Sequence, residues 1–256
     1  MVKLLFYWLV EKKHQFLTSR NVISVKNKYP NLYNFVKNRF IRDKFFGLPF
    51  SILICIFFIN LTLLTEISGG VINSKNVAFL DRITEKLFYH IRNETIAKIF
   101  YGISLLGHPF FIFILGFGAL ILFIVKRKIY WSISTLISII GSVFSVFLGK
   151  NLYHLDRPIK HSWYFENSFS FPSGHATIAV SFYGILIYYF IVYAKDLKKK
   201  VLYFIVGSLI IGLIGISRLY LGVHYFSDVI AGYLLGGIWL VFSIIIVNFR
   251  KDGRGI

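Results

Sequence analysis

The stretch Phe171–Lys200, FPSGHATIAVSFYGILIYYFIVYAKDLKKK, decides how the chain is read. It opens with a proline turn, runs through about 20 mostly apolar residues, and ends in a basic connector. That is the length a helix needs to cross the hydrocarbon core of a bilayer. The histidine at its mouth, His175, is not explained by spanning alone.

Working outward, the whole chain has the same character. Of its 256 residues 56% are hydrophobic and 19% aromatic, with a mean hydropathy of +0.68, which excludes an ordinary soluble domain. Six apolar stretches predict transmembrane helices: 46–64, about 95–125, 130–148, 175–193, 201–216 and 229–249. The second is overlong and interrupted by Gly107 and Pro109, so its start reads as an approach helix and its body as the span. The fold class expected is all-α, a polytopic bundle of six transmembrane helices. Residues 67–94 form a connector with an interfacial helix. The organisation expected is a basic cytoplasmic segment 1–44, a membrane domain 45–250 and a tail 251–256.

The formal charge of +18 raises nucleic acid as a partner, but a nucleic-acid reader needs its cations on one accessible face. Here they sit in short connectors. Residues 1–44 hold ten Lys or Arg against Glu11 and Asp43; Lys126–Lys128, Lys195 with Lys198–Lys200, and Arg250, Lys251 and Arg254 follow alternate spans. The excess of cations in cytoplasmic loops therefore puts both termini in the cytoplasm and the other connectors outside, in a plasma membrane protein without a nucleic-acid partner. The N-terminal MVKLLFYWLVEKKHQF has a short apolar core and no small-residue cleavage site, and reads as an amphipathic segment on anionic lipid rather than a signal peptide. The single cysteine, Cys55, excludes a disulfide framework and a cysteine-rich metal site.

Three groups of polar residues mark helix ends on the outward side. Lys150, Arg157 and Pro158 close the third span. Alone they read first as interfacial anchors, although an ammonium beside a guanidinium also suits a phosphoryl group. Pro172–His175 open the fourth span. Ser173 is a good N-cap and Gly174 clears backbone approach, so the helix end is an anion site, while capping gives no reason for His175. Ser217, Arg218, His224 and Asp228 precede the sixth span. If helical, His224 and Asp228 share a face, and the carboxylate can hold Nδ1–H and leave Nε2 as a base or nucleophile. By itself that is also an ordinary His–Asp pair. An arginine, an oriented histidine and an anion-binding helix end together point to phosphoryl chemistry.

In order and spacing these residues follow K-x6-RP, PSGH and SR-x5-H-x3-D, and the sequence resembles the type 2 phosphatidic acid phosphatase, or PAP2, superfamily over residues 45–250. The resemblance implies a site at the extracytoplasmic face. His224 would be the nucleophile that forms a phosphohistidine, Asp228 would orient it, and His175 would protonate the leaving group. Lys150, Arg157, Ser173, Gly174 and Arg218 would bind the phosphoryl oxygens. Neither metal nor cofactor is implied. The partners expected are the bilayer and a lipid phosphate: undecaprenyl diphosphate, phosphatidylglycerol phosphate or phosphatidic acid. A lipid phosphotransferase using the same phosphohistidine and a non-catalytic phospholipid-binding protein are the alternatives. A channel or transporter would need ionisable residues near the midplane rather than at one face. His90, His108, His154, Asp156 and His161 lie outside the pattern and are left without a role.

Overall fold

A computed structural model describes residues 24, 26–40, 45–158 and 162–253. The N-terminal amphipathic segment, His161 and Arg254 lie outside these. The chain divides into two compact units at Ile52 and Leu53. In the first, helix α1 (Pro30–Asn38) starts on a proline, and the Ser51 hydroxyl donates to the Arg39 carbonyl at 3.2 Å.

Among the described residues the secondary structure is entirely helical. After α1 come α2 (Leu48–Asn73), α3 (Lys75–His90), α4 (Glu94–Leu105), α5 (Pro109–Val125), α6 (Ile129–Tyr153), α7 (Gly174–Tyr193), α8 (Leu197–Tyr220) and α9 (Phe226–Gly253). Five of these are long and apolar enough to cross a membrane, and α4 with α5, bent by 41°, makes a sixth. The bend falls where Gly107 and Pro109 interrupt the second predicted span. Helices run past the predicted apolar limits: α2 continues to Asn73, and α8 begins at Leu197 on an Asp196 N-cap whose carboxylate accepts the Lys199 N–H at 2.7 Å. Polar residues extend a helix once its end has left the hydrocarbon. The connector helix expected within 67–94 is α3, capped by Ser74.

The packing is that of a bilayer protein. Half of the apolar window of α7 is buried and none of that of α2, so α7 is the central element and α2 presents itself to lipid. Large apolar side chains such as Phe58, Phe113, Ile140 and Phe204 are exposed, whereas the contacts between helices add small and polar residues to buried clusters such as Phe123, Trp131 and Tyr189. Lipid tails are as apolar as these side chains, so close backbone approach and hydrogen bonds hold the helices together. Ser134 of α6 and Ser243 of α9 exchange hydroxyl-to-carbonyl bonds at 2.9 and 3.1 Å, and Ser142 bonds Ser181 at 2.7 Å. Gly232 and Gly236 of α9 face the start of α7 so closely that a Cβ would lie 2.6 Å from the Ser173 carbonyl and 2.3 Å from that of Thr177. Within α7, residues Ala179–Tyr183 take a wider π turn.

Candidate active site

The three polar groups converge at one end of the bundle. Lys150 lies in the last turn of α6, Arg218 in the last turn of α8, and Gly174 and His175 in the first turn of α7. Each is placed by a helix terminus, so the bundle brings together residues from distant parts of the chain. Lys150, Arg157, Gly174, His175, Arg218 and His224 all line one cavity of about 650 Å³. Ser173 and Asp228 are buried.

His224 and Asp228 pair as expected, but not on one helical face. His224 stands in the loop before α9, and Asp228 lies in the first turn of that helix. The loop folds back so that His224 Nδ1 meets Asp228 Oδ2 at 3.3 Å, while the same oxygen accepts the Tyr225 N–H at 2.8 Å and Ser170 donates to Oδ1 at 3.4 Å. On the other side of the ring, Arg157 Nη1 lies 3.1 Å from Nε2. A guanidinium only donates, so Nε2 carries the lone pair and Nδ1 the proton. The imidazole is thereby held neutral in one tautomer. Burial first, and then the charges of Arg157, Arg218 and Lys150, hold its pKa well below the ordinary histidine value.

Arg157 also ties the loop after α6 together. Nε donates to the Ser168 carbonyl at 2.6 Å, Nη1 to the Val223 carbonyl at 2.7 Å and Nη2 to Ser168 Oγ at 2.9 Å. Lys150 Nζ reaches the same segment, donating to Ser168 Oγ at 2.9 Å and to the Phe169 carbonyl at 2.7 Å.

Glu166, with no place in the sequence motifs, completes the charge arrangement. Its Oε2 lies 2.7 Å from Arg157 Nη2, and its Oε1 pairs with Arg218 Nη2. Burial alone would raise this carboxyl, but the Arg218 and Arg157 charges outweigh it and hold the pKa below the usual glutamate range. Arg218 also donates to Ser104 of α4 and to the Tyr164 hydroxyl. The only sequence signal for Glu166 is an acid in a connector whose neighbouring motifs are cationic, a signal that Asp156 shares.

Two buried polar atoms near this cluster have no partner among the described residues, Arg218 Nε and Ser173 Oγ. Ser173 does occupy the N-cap of α7, yet its hydroxyl makes no capping bond, and its N–H is taken by the Asp228 carbonyl at 3.0 Å. Unsatisfied buried groups of this kind call for a ligand. An arginine N–H and a hydroxyl are suitable donors to a phosphoryl oxygen.

The residues without a predicted role separate. His108 lines the cavity, its ring centroid 6.2 Å from that of His175. His154 ends α6 in a left-handed conformation with its ring against Phe169, and Asp156 is exposed and forms no ion pair among the described residues. His90 bonds the Lys86 carbonyl within α3.

The model of the PAP2 superfamily matches residues 130–252. Phosphatidylglycerophosphatase B of Bacillus subtilis (strain 168) is 31% identical over 190 residues, which cover 70% of this chain and 88% of the relative. This chain belongs to the PAP2 superfamily. Solved structures share the fold. A transmembrane PAP2-type phosphatidylglycerolphosphate phosphatase from Bacillus subtilis superposes with a TM-score of 0.68 at 27% identity, covering 80% of this chain and 98% of that one. LpxE of Aquifex aeolicus superposes with a TM-score of 0.51 at 25% identity, covering 62% and 92%. The chain is thus a multi-pass membrane phosphatase of the PAP2 superfamily. The family match covers α6–α9 and the loops between them, where every motif residue lies, whereas α1–α5 lie before it.

Proposed function

We propose that this lipid phosphatase removes the terminal phosphoryl group of a membrane lipid at the outer face of the plasma membrane, through a phosphohistidine on His224. The observation that carries the reading is the cavity. It is lined both by Lys150, Arg157, Arg218, His175 and His224 and by Ile112, Phe113, Ile139, Val143 and Val146. A substrate with an anionic head and an apolar tail matches both kinds of lining at once.

The residues divide the chemistry as follows. The phosphoryl oxygens take the guanidinium donors of Arg157 and Arg218 that Glu166 now holds, together with the Lys150 ammonium and the Gly174 amide. The unpartnered Arg218 Nε and Ser173 hydroxyl complete the set. His224 Nε2, its lone pair held ready by the Nδ1–H bond to Asp228, attacks phosphorus. The bond from phosphorus to the leaving oxygen breaks as His175 delivers a proton to that oxygen. Water then attacks the phosphohistidine, giving its proton to His175 and releasing phosphate, and the nitrogen–phosphorus bond returns its electron pair to His224. Positioning and fixed charge supply most of what phosphoryl transfer needs.

Undecaprenyl diphosphate and phosphatidylglycerol phosphate rank close together as substrates, with phosphatidic acid behind them. The glycerol-containing candidate is favoured by the likeness to phosphatidylglycerophosphatase B. The basic connectors after α5 and α7 support a cytoplasmic position for the opposite end of the bundle and for both termini.

The test is phosphate release in detergent with EDTA present, for wild type and His224→Ala, from the three lipids. Release by wild type and loss in the variant are expected. No release from any lipid would refute the phosphatase reading, and an active variant would refute the nucleophile.

A further inference from the structure

The bend between α4 and α5 is built into the site, although it precedes the part of the chain that the family model matches. Ser104 accepts a hydrogen bond from Arg218, and two residues on the Tyr183 hydroxyl donates to the Leu106 carbonyl at 2.8 Å. At Gly107 a Cβ would lie 3.1 and 3.2 Å from side-chain atoms of His175 and 2.9 Å from Ile214, so a glycine lets this segment lie directly on α7 and α8. His108 follows, its ring 6.2 Å from that of His175 and facing the same cavity. Its Nδ1 accepts the Phe110 N–H at 3.2 Å as the N-cap of α5. In a neutral ring the other nitrogen then carries the proton, and Nε2–H makes no hydrogen bond among the described residues.

We propose that His108 recognises the second phosphoryl group of a lipid diphosphate and thereby raises activity on diphosphates, while monoesters are hydrolysed without its help. The proposal rests on the phosphatase reading, in which His175 protonates the leaving oxygen. Whatever lies beyond that oxygen starts next to His175, and His108, its ring centroid 6.2 Å from that of His175, lines the same cavity. In an alkyl monoester the next atom is a carbon with nothing to accept a hydrogen bond. In a diphosphate it is a phosphorus bearing two further anionic oxygens, which the Nε2–H donor can bind. Lys150, Arg157 and Arg218 are engaged with the attacked phosphoryl group, which leaves the His108 Nε2–H as a donor for the leaving phosphate.

The experiment compares farnesyl diphosphate with farnesyl monophosphate, two substrates with one tail, using the full chain in detergent micelles. The variants are His108→Ala, which removes the donor, and His108→Gln, which restores an N–H near the position of Nε2. A lost hydrogen bond to a charged oxygen is expected to lower kcat/KM for the diphosphate about tenfold in His108→Ala. The monophosphate should change less than about twofold on the same scale, and His108→Gln should recover most of the loss. Equal losses on both substrates, or none on either, would overturn the proposal, as would a wild type that hydrolyses only the monophosphate. A wild type inactive on both and on phosphatidylglycerol phosphate would instead overturn the phosphatase reading, and this proposal with it.

Discussion

The Asp81 carboxylate accepts both hydrogens that Ser227 offers, the backbone N–H at Oδ1 and the hydroxyl at Oδ2, each at 2.8 Å. Ser227 lies in the first turn of α9, next to Asp228 and three residues from His224. A connector helix, α3, thus holds the start of the helix that carries Asp228, the partner of His224. Burial raises the Asp81 pKa against the pull of these two bonds, so the carboxylate is kept where it is costly. Asp81→Ala leaves two buried donors unpaired, a loss of about 1–3 kcal/mol, and lets the His224 loop drift. The expected result is a kcat lower by about tenfold with KM within about twofold, because the phosphate-binding cations stay in place. Asp81→Asn keeps an acceptor for the N–H and should lie between. Steady-state kinetics on one lipid phosphate would check it, and a change confined to KM would contradict it.

Glu166 holds the two guanidiniums that a phosphoryl dianion would claim. Substrate and product must displace it, so its charge weakens phosphate binding. Glu166→Gln removes that competition but leaves Arg157 and Arg218 buried with less compensation. The expected outcome is tighter inhibition by inorganic phosphate, by about three- to tenfold, or about 0.7–1.4 kcal/mol, together with a lower melting temperature. Competition assays and thermal unfolding in detergent measure the two effects separately. Unchanged phosphate inhibition would show that the carboxylate and the phosphoryl group do not share a place.

Much of this arrangement was legible because its signals are local. Apolar windows located the spans, Gly107 and Pro109 located the bend, and fixed gaps within three short motifs located Lys150, Arg157, His175, Arg218, His224 and Asp228. What sequence could not show are pairings made only by the fold. Glu166 meets Arg218 across 52 positions and Asp81 meets Ser227 across 146, and neither spacing has a periodic signature. Local preference also misled at two points. Ser173 has the residue type of an N-cap but leaves its hydroxyl unbonded, and His224 reaches Asp228 from a loop rather than along a helix. Both departures occur at the site, where a side chain is held for a ligand instead of for its own helix.

Gly236 is a point where packing and activity are one property. A methyl group there would sit 2.3 Å from the Thr177 carbonyl oxygen, a backbone atom that cannot rotate away. Gly236→Ala must therefore push α9 off α7 just below Ser173 and His175. Overpacking of this kind costs about 1–3 kcal/mol. A fall in melting temperature with loss of most activity is expected, whereas Gly118→Ala, where no atom lies within 4 Å, should leave both unchanged. Equal behaviour of the two variants would remove the argument for a close α7–α9 contact.

The last prediction concerns pH. His224 is held neutral by burial and by the neighbouring cations, so its folded pKa lies well below the ordinary 6.5. The unfolded chain takes up a proton as pH falls through about 6.5, and the native protein does so only further down, so in that window the unfolded state binds more protons. Stability should accordingly fall as pH drops below about 6.5 and be insensitive to this group above it. His224 stays unprotonated over the same range, so if it is the nucleophile as proposed, the acid limb it imposes on kcat/KM should lie below 6.5. Thermal unfolding between about pH 5 and 8, for wild type and His224→Gln, isolates the contribution, because the variant cannot take up the proton and should lose that part of the slope. A native His224 that titrates at 6.5 or above, followed by the ring proton resonances, would contradict the assignment of a desolvated, arginine-facing imidazole.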